Sequence, residues 1–198
     1  QLDRAWYRAL LQSVPRSDHA AFRQMPCGRL GITTRHRTEQ RVKGRSMYHA
    51  NHLAENLRAA SLGAENSLFL HNHQTGEEVS YKAFFANAER MAQALVDAGV
   101  KPGDRVAVQA PKTQAMLELY VATVLAGGVF LPLNTAYTAS EITYFLTDAK
   151  PWIFVCDRKC EDELSAVAKD AGVAEVLTIG ADEGGSLPER RDAAAPGF

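Results

Sequence analysis

The feature that most constrains this chain is a rhythm that begins after Met47. Short apolar runs alternate with longer stretches whose apolar residues recur at helical spacing. The runs are Arg105-Val106-Ala107-Val108-Gln109, Val129-Phe130-Leu131-Pro132-Leu133, Trp152-Ile153-Phe154-Val155-Cys156 and Glu175 to Ile179. A strand that is apolar on both faces must be covered on both, which is the condition of a parallel sheet between two layers of helices. Parallel neighbours joined through helices cross over right-handed. The expected fold class is therefore α/β, an open, mostly parallel sheet with helices on both faces.

Turn and cap residues divide the elements. Helices are predicted over Asn51–Ala60, Tyr81–Ala98, Thr113–Ala126, Ser140–Asp148 and Glu161–Ala171. In the second, Phe84, Ala88, Met91, Leu95 and Ala98 form one apolar stripe. Ser80 stands where an N-cap belongs, and Gly99 can close that helix in the left-handed conformation. Ser140 is the expected cap of the fourth helix. Ser67 to Leu70 reads as a strand, and His71 to Glu78 and Lys101 to Asp104 as turns. Gly127-Gly128 stops a helix, and Pro132, lacking an amide hydrogen, should end the pairing of its strand. Gly180 to Phe198 is rich in Gly, Ala, Pro and charge and is expected to be a linker.

Charge separates the first 46 residues from the rest. They hold ten Lys/Arg against three acids, +7, whereas 47–198 hold twelve bases against twenty acids, −8. Three readings of 1–46 stay open: a mitochondrial-type targeting segment, a basic arm, or sequence upstream of a start at Met47. The segment is expected to be poorly ordered. The aromatic residues Trp6, Tyr7 and Phe22 do not interleave with the arginines as nucleotide-stacking platforms would, so no nucleic-acid partner is expected. The expected organisation is a basic extension over 1–46, a globular region over 47–180 and a linker over 181–198. With 46% apolar residues in 198, one sizeable core can form. No apolar run reaches the roughly 20 residues of a spanning helix. A cytoplasmic location is expected, or a mitochondrial one if 1–46 is a targeting segment.

Few residues suggest chemistry. No strand–glycine–helix phosphate loop is present, and Gly127-Gly128 stands in the reverse order, after a helix and before a strand. His71 and His73 would point to opposite faces if both lay on a strand, so an exposed turn is the expected reading. Lys112, at a strand-to-helix junction, could meet an anion, although a solvated first-turn lysine is the commoner case. Cys27, Cys156 and Cys160 are too few for a disulfide framework and lack further zinc ligands nearby. Cys156 is expected to be a buried strand-end thiol. No residue is nominated as catalytic, cofactor-binding or metal-ligating.

Three tracts nevertheless form an ordered set. Val79-Ser80-Tyr81-Lys82-Ala83-Phe84 resembles the first conserved motif of adenylate-forming enzymes. Gly99 to Val108 resembles the "G-x-x-x-G-D-R-V" tract of that superfamily, and Leu125 to Asn134 resembles its second motif. The continuation through Thr135-Ala136-Tyr137-Thr138, Glu141, Tyr144-Phe145 and Asp148-Ala149 is similar to malonyl-CoA synthetases, with Phe130 where a tyrosine is typical. Pro111-Lys112-Thr113 is similar to a Glu-Lys-Ser tract of that group. The resemblance spans about Asn51 to Ser186 and identifies the chain as a member of the AMP-dependent acyl-CoA synthetase superfamily, as an N-terminal portion. It implies the first lobe of that superfamily's N-terminal domain. It also implies a two-step reaction of a small carboxylic acid, malonate by the group resemblance, with ATP and CoA, assisted by Mg2+. The residues for those ligands would lie downstream, so this portion alone is expected to be inactive. Two alternatives stay open: a ligase for another short- or medium-chain fatty acid, and a free-standing α/β binding module.

Overall fold

A computed structural model describes residues 52–73, 76–196 and 198. The expectations for residues 1–46 lie outside the described residues. Among the described residues, six α-helices and six strands follow in the order α1 (His52–Ser61), β1 (Leu68–His71), β2 (Glu78–Ser80), α2 (Tyr81–Asp97), β3 (Arg105–Gln109), α3 (Gln114–Leu125), β4 (Val129–Pro132), α4 (Ala139–Ala149), β5 (Ile153–Cys156), α5 (Glu161–Asp170), β6 (Glu175–Thr178) and α6 (Ser186–Ala193). β3 to β6 form one wholly parallel sheet in the order β4-β3-β5-β6, as the continuous apolar runs require. β1 and β2 pair antiparallel in a separate two-stranded sheet.

Strand alternation divides the core. Val106, Val108, Ile153, Val155, Leu177 and Ile179 point to one face, where they meet Met91 and Leu95 of α2, Leu119 of α3 and Leu187 of α6. Ala107, Phe154 and Cys156 point to the other and meet Ile142 and Leu146 of α4 and Leu164 and Ala168 of α5. Helices cover both faces, as expected. Phe84 and Ala88 on α2 pack with Val79 and Val121 in a third cluster beneath the small sheet, joined by Leu57 and Phe69.

Two of the tracts that carried the resemblance, Gly99–Val108 and Leu125–Asn134, enter the large sheet at its amino edge. α2 closes on Gly99 at φ +90°, whose amide bonds the Val96 carbonyl at 2.8 Å while the Val100 amide bonds that of Leu95 at 3.0 Å. A Cβ on Gly99 would stand 3.2 Å from the Trp152 ring, and the Trp152 indole donates to the Ala98 carbonyl at 2.9 Å. Gly127-Gly128 ends α3 in the same way and lies against the Lys101–Asp104 turn: the Gly103 amide bonds the Gly127 carbonyl at 2.9 Å, and the Val129 amide that of Asp104 at 2.7 Å. These residues hold β3 and β4 in register. They sit at the end of the sheet opposite to the one where ligands of open α/β folds bind.

Two expectations are corrected. The tail is not a bare linker: Ser186–Ala193 is helix α6, with Leu187 fully buried against the core. Its own composition is polar, and contacts with α2 decide its state. Thr138, not Ser140, caps α4. Its hydroxyl accepts from the Glu141 amide while the Glu141 carboxylate accepts from the Thr138 amide, a reciprocal capping box that Ser140 has no glutamate to complete. His71 and His73 are exposed at a turn, as expected: β1 ends at His71, His73 lies in the turn beyond it, and their rings meet edge to face with centroids 4.8 Å apart. Pro132 does end β4, though the Leu133 amide still reaches the Val108 carbonyl at 2.8 Å.

Candidate functional site at the carboxyl edge of the sheet

The chain leaves β3 toward β4 on one side and later returns to place β5 on the other, so the order reverses at β3. Such a reversal opens a crevice beyond the carboxyl ends of the strands. A pocket of about 170 Å3 lies there, lined by Gln109, Thr135, Tyr137, Thr138, Asp157, Cys160 and the start of α5.

Gln109 is its deepest polar residue. As the last residue of β3 it is 5% exposed. Its amide nitrogen donates to the carbonyls of Asn134 and Tyr137, both at 3.0 Å, and so shapes the loop after β4. Its side-chain oxygen is buried without a protein partner. The Asn134 carboxamide accepts from the Ala136 amide at 3.0 Å, and the capping box of α4 fixes the far end of the same loop. The Glu141 carboxyl is held below its ordinary value by the Thr138 amide and then by the Thr138 hydroxyl. On the opposite wall the Asp157 carboxylate accepts from the Lys159 amide at 3.0 Å, starting the turn into α5.

The thiols divide as expected: Cys156 is buried and Cys160 exposed. Burial, then the charges of Glu161, Cys160 and Asp157, pushes the Cys156 thiol up to about 12, so it is not a nucleophile at neutral pH. Arg158 and Asp182 pair at 2.7 Å across the rim, both about half exposed or more, which makes the pair worth little to stability.

On the other face of the sheet, the amino end of α3 carries an internal anion. Thr113 caps the helix, and both oxygens of Glu183 accept from the next amides, Gln114 and Ala115, each at 2.8 Å. Lys112, the one sequence candidate for meeting an anion, is exposed in the loop before this helix; the backbone beside it binds the carboxylate. A second buried polar set lies between α2, α3 and α6. Glu118, fully buried, accepts from Asn87 at 2.9 Å, Gln114 at 2.8 Å and Arg191 at 2.7 Å.

The arrangement is one for binding. Its polar groups can orient a ligand, but the lining offers no nucleophile paired with a base. No group of three or more His, Cys, Asp or Glu among the described residues could hold a metal ion, His71 and His73 included. Gln109, Glu183 and the Glu118–Arg191 pair were not singled out by sequence reasoning. A polar residue closing an apolar strand, and a glutamate within the apolar sequence of α3, were the available signals. No helix among the described residues is long and apolar enough to cross a membrane.

Comparison with known proteins gives a consistent picture. A model of the AMP-binding enzyme family matches residues 57–196. Crystal structures of MatB from Rhodopseudomonas palustris, apo and ATP-bound, superpose with TM-score 0.71 at 42% identity, covering 75% of this chain and 29% of theirs. The oxalate–CoA ligase of Arabidopsis thaliana is 33% identical over 100 residues, 50% of this chain and 20% of that protein. The probable non-canonical nonribosomal peptide synthetase CymA of Salinispora arenicola is 37% identical over 78 residues, 39% of this chain and 1% of that protein. The chain thus spans less than a third of the length of each of these relatives.

Proposed function

Because the chain belongs to the AMP-binding enzyme family, we propose that residues 47–180 are part of the N-terminal domain of an acid–CoA ligase that activates malonate. The observation that carries the ligase reading is the superposition of the whole α/β body on MatB at 42% identity. The similarity to an oxalate–CoA ligase points to the same chemistry on another short dicarboxylic acid. The choice of malonate rests on the tract from Phe130 to Ala149.

In the proposed reaction a substrate carboxylate oxygen attacks the α-phosphorus of ATP. The bond to the β-phosphate oxygen breaks, pyrophosphate leaves, and an acyl-adenylate forms. The CoA thiolate then attacks the acyl carbon and AMP departs with the electrons of the broken acyl–oxygen bond. Both steps gather negative charge that positioned cations and amides must offset. Among the described residues, the amino end of α3 is occupied by the Glu183 carboxylate. The described residues supply a parallel sheet with a polar pocket at its carboxyl edge.

The test is to express the reading frame that encodes this chain as it stands in its genome and to measure AMP formation with ATP, Mg2+, CoA and a panel of acids. Malonate should show the highest kcat/KM, and residues 1–198 alone should show none. Preference for an aromatic or amino acid would overturn malonate. Absence of ATP–pyrophosphate exchange with every acid would overturn the ligase reading.

A further inference from the structure

Residues 180–193 are held from both ends by groups distant in sequence, and at their centre stands a backbone conformation that costs energy. Glu183 has φ +63°, the left-handed region that a β-carbon disfavours. The chain turns tightly around it, with the Gly180 amide on the Gly184 carbonyl at 2.6 Å, and a Cβ on Gly185 would lie 2.4 Å from the Thr178 carbonyl oxygen. That strain persists because it aims the Glu183 carboxylate at two α3 amides. Beyond the turn, Thr178 and Ser186 bond reciprocally: the Thr178 amide donates to the Ser186 hydroxyl and the Ser186 amide to the Thr178 hydroxyl, both at 3.0 Å. α6 then buries Leu187 and reaches Glu118 through Arg191, while Arg190 pairs with Glu175 on β6.

We propose that Gly180–Ala193 is a strap that opens and closes as one unit, with Glu183 as its latch on the amino end of α3. The sheet has its own hydrogen bonds from β4 through β6 and does not depend on the strap for its ladder. The strap's anchors lie on β6, at Thr178 and Glu175, and on α3, at Gln114, Ala115 and Glu118. Few of its own residues are buried, and its helix is short and polar, which places it among segments of low local stability. Opening releases the strained Glu183 backbone, uncovers the Gln114 and Ala115 amides at the amino end of α3, and lets water reach Glu118.

Hydrogen exchange on the full chain tests this, comparing the native sequence with Glu183→Gln and Arg191→Met. A glutamine at 183 keeps the shape but has one acceptor oxygen where the carboxylate has two, so one α3 amide faces an NH2 group. Losing one charge-assisted bond should raise the open population about tenfold or more. The expected result is equal acceleration at Gln114, Ala115, Glu189 and Ala194 in both variants, with Val106, Val108 and Phe154 unchanged. Faster exchange in Glu183→Gln confined to Gln114 and Ala115 would reduce Glu183 to a local cap and overturn the strap. Equal acceleration of the β3 and β5 amides would show the segment to be part of the cooperative core, and would overturn it too. No acceleration at all would remove Glu183 as the latch.

Discussion

Replacing Arg191 by methionine tests how α6 is held. Methionine keeps the length and apolar stem of the side chain and removes its charge. In the native chain Arg191 is 15% exposed and donates to a Glu118 side chain that is 0% exposed. Burial alone would lower the affinity of Arg191 for its proton; the Asp192 hydrogen bond and the Glu118 charge more than restore it. Without Arg191 one oxygen of Glu118 keeps no donor, while the other retains the amides of Asn87 and Gln114. Removing one partner of a buried ion pair costs about 3–5 kcal/mol when the remaining charge is uncompensated. Two surviving amide bonds reduce that to about 2–4 kcal/mol. The loss is capped by the docking energy of α6, because undocking lets water solvate Glu118. Urea unfolding followed by circular dichroism should show the loss as a lower midpoint, and a melt as a fall of about 4–16 °C. Adding Glu118→Gln removes the stranded charge and should recover part of the stability, so the double variant should outlast Arg191→Met alone. A single-variant loss below about 1 kcal/mol, or a double variant weaker than the single one, would refute the reasoning.

Further outcomes are expected at other positions. Gly99→Ala adds a Cβ in the left-handed region and 3.2 Å from the Trp152 ring, whereas Gly172→Ala, at φ +79°, meets nothing within 4 Å. Both should lose about 1–2 kcal/mol to the backbone, and Gly99→Ala more than its control; equal losses in urea unfolding would discount the Trp152 contact. Glu141→Gln should lower the melting temperature at pH 7, and by less as the pH falls through the folded value of the carboxyl. The folded carboxyl lies below 4.5, so its contribution is complete above the ordinary glutamate range and lost as pH falls through the folded value. A difference that persists undiminished in acid would dissociate the capping box from the charge. At pH 8 a maleimide should label Cys160 in the folded chain and Cys156 only after denaturation, as read by peptide mass spectrometry. Equal labelling of the two would contradict the burial of the β5 thiol.

Local order was legible in the residues alone. Continuous apolar runs specify four buried parallel strands, and helical spacing specifies the helices between them. Ser80 and Gly99 mark the ends of α2 because caps and left-handed turns involve residues within one helical turn. The family followed from local tracts, two of which, Gly99–Val108 and Leu125–Asn134, shape the amino edge of the sheet. Whatever depends on distant partners emerged only with the folded chain. The Gln109 amide meets carbonyls 25 and 28 residues away, the Glu183 carboxylate finds α3 amides 69 and 68 residues back, and Arg191 reaches Glu118 across 73. A polar stretch such as Ser186–Ala193 carries no local reason to be a helix against α2. Burial of Leu187 and the charge on Glu118 supply that reason only once α2, α3 and the sheet have come together.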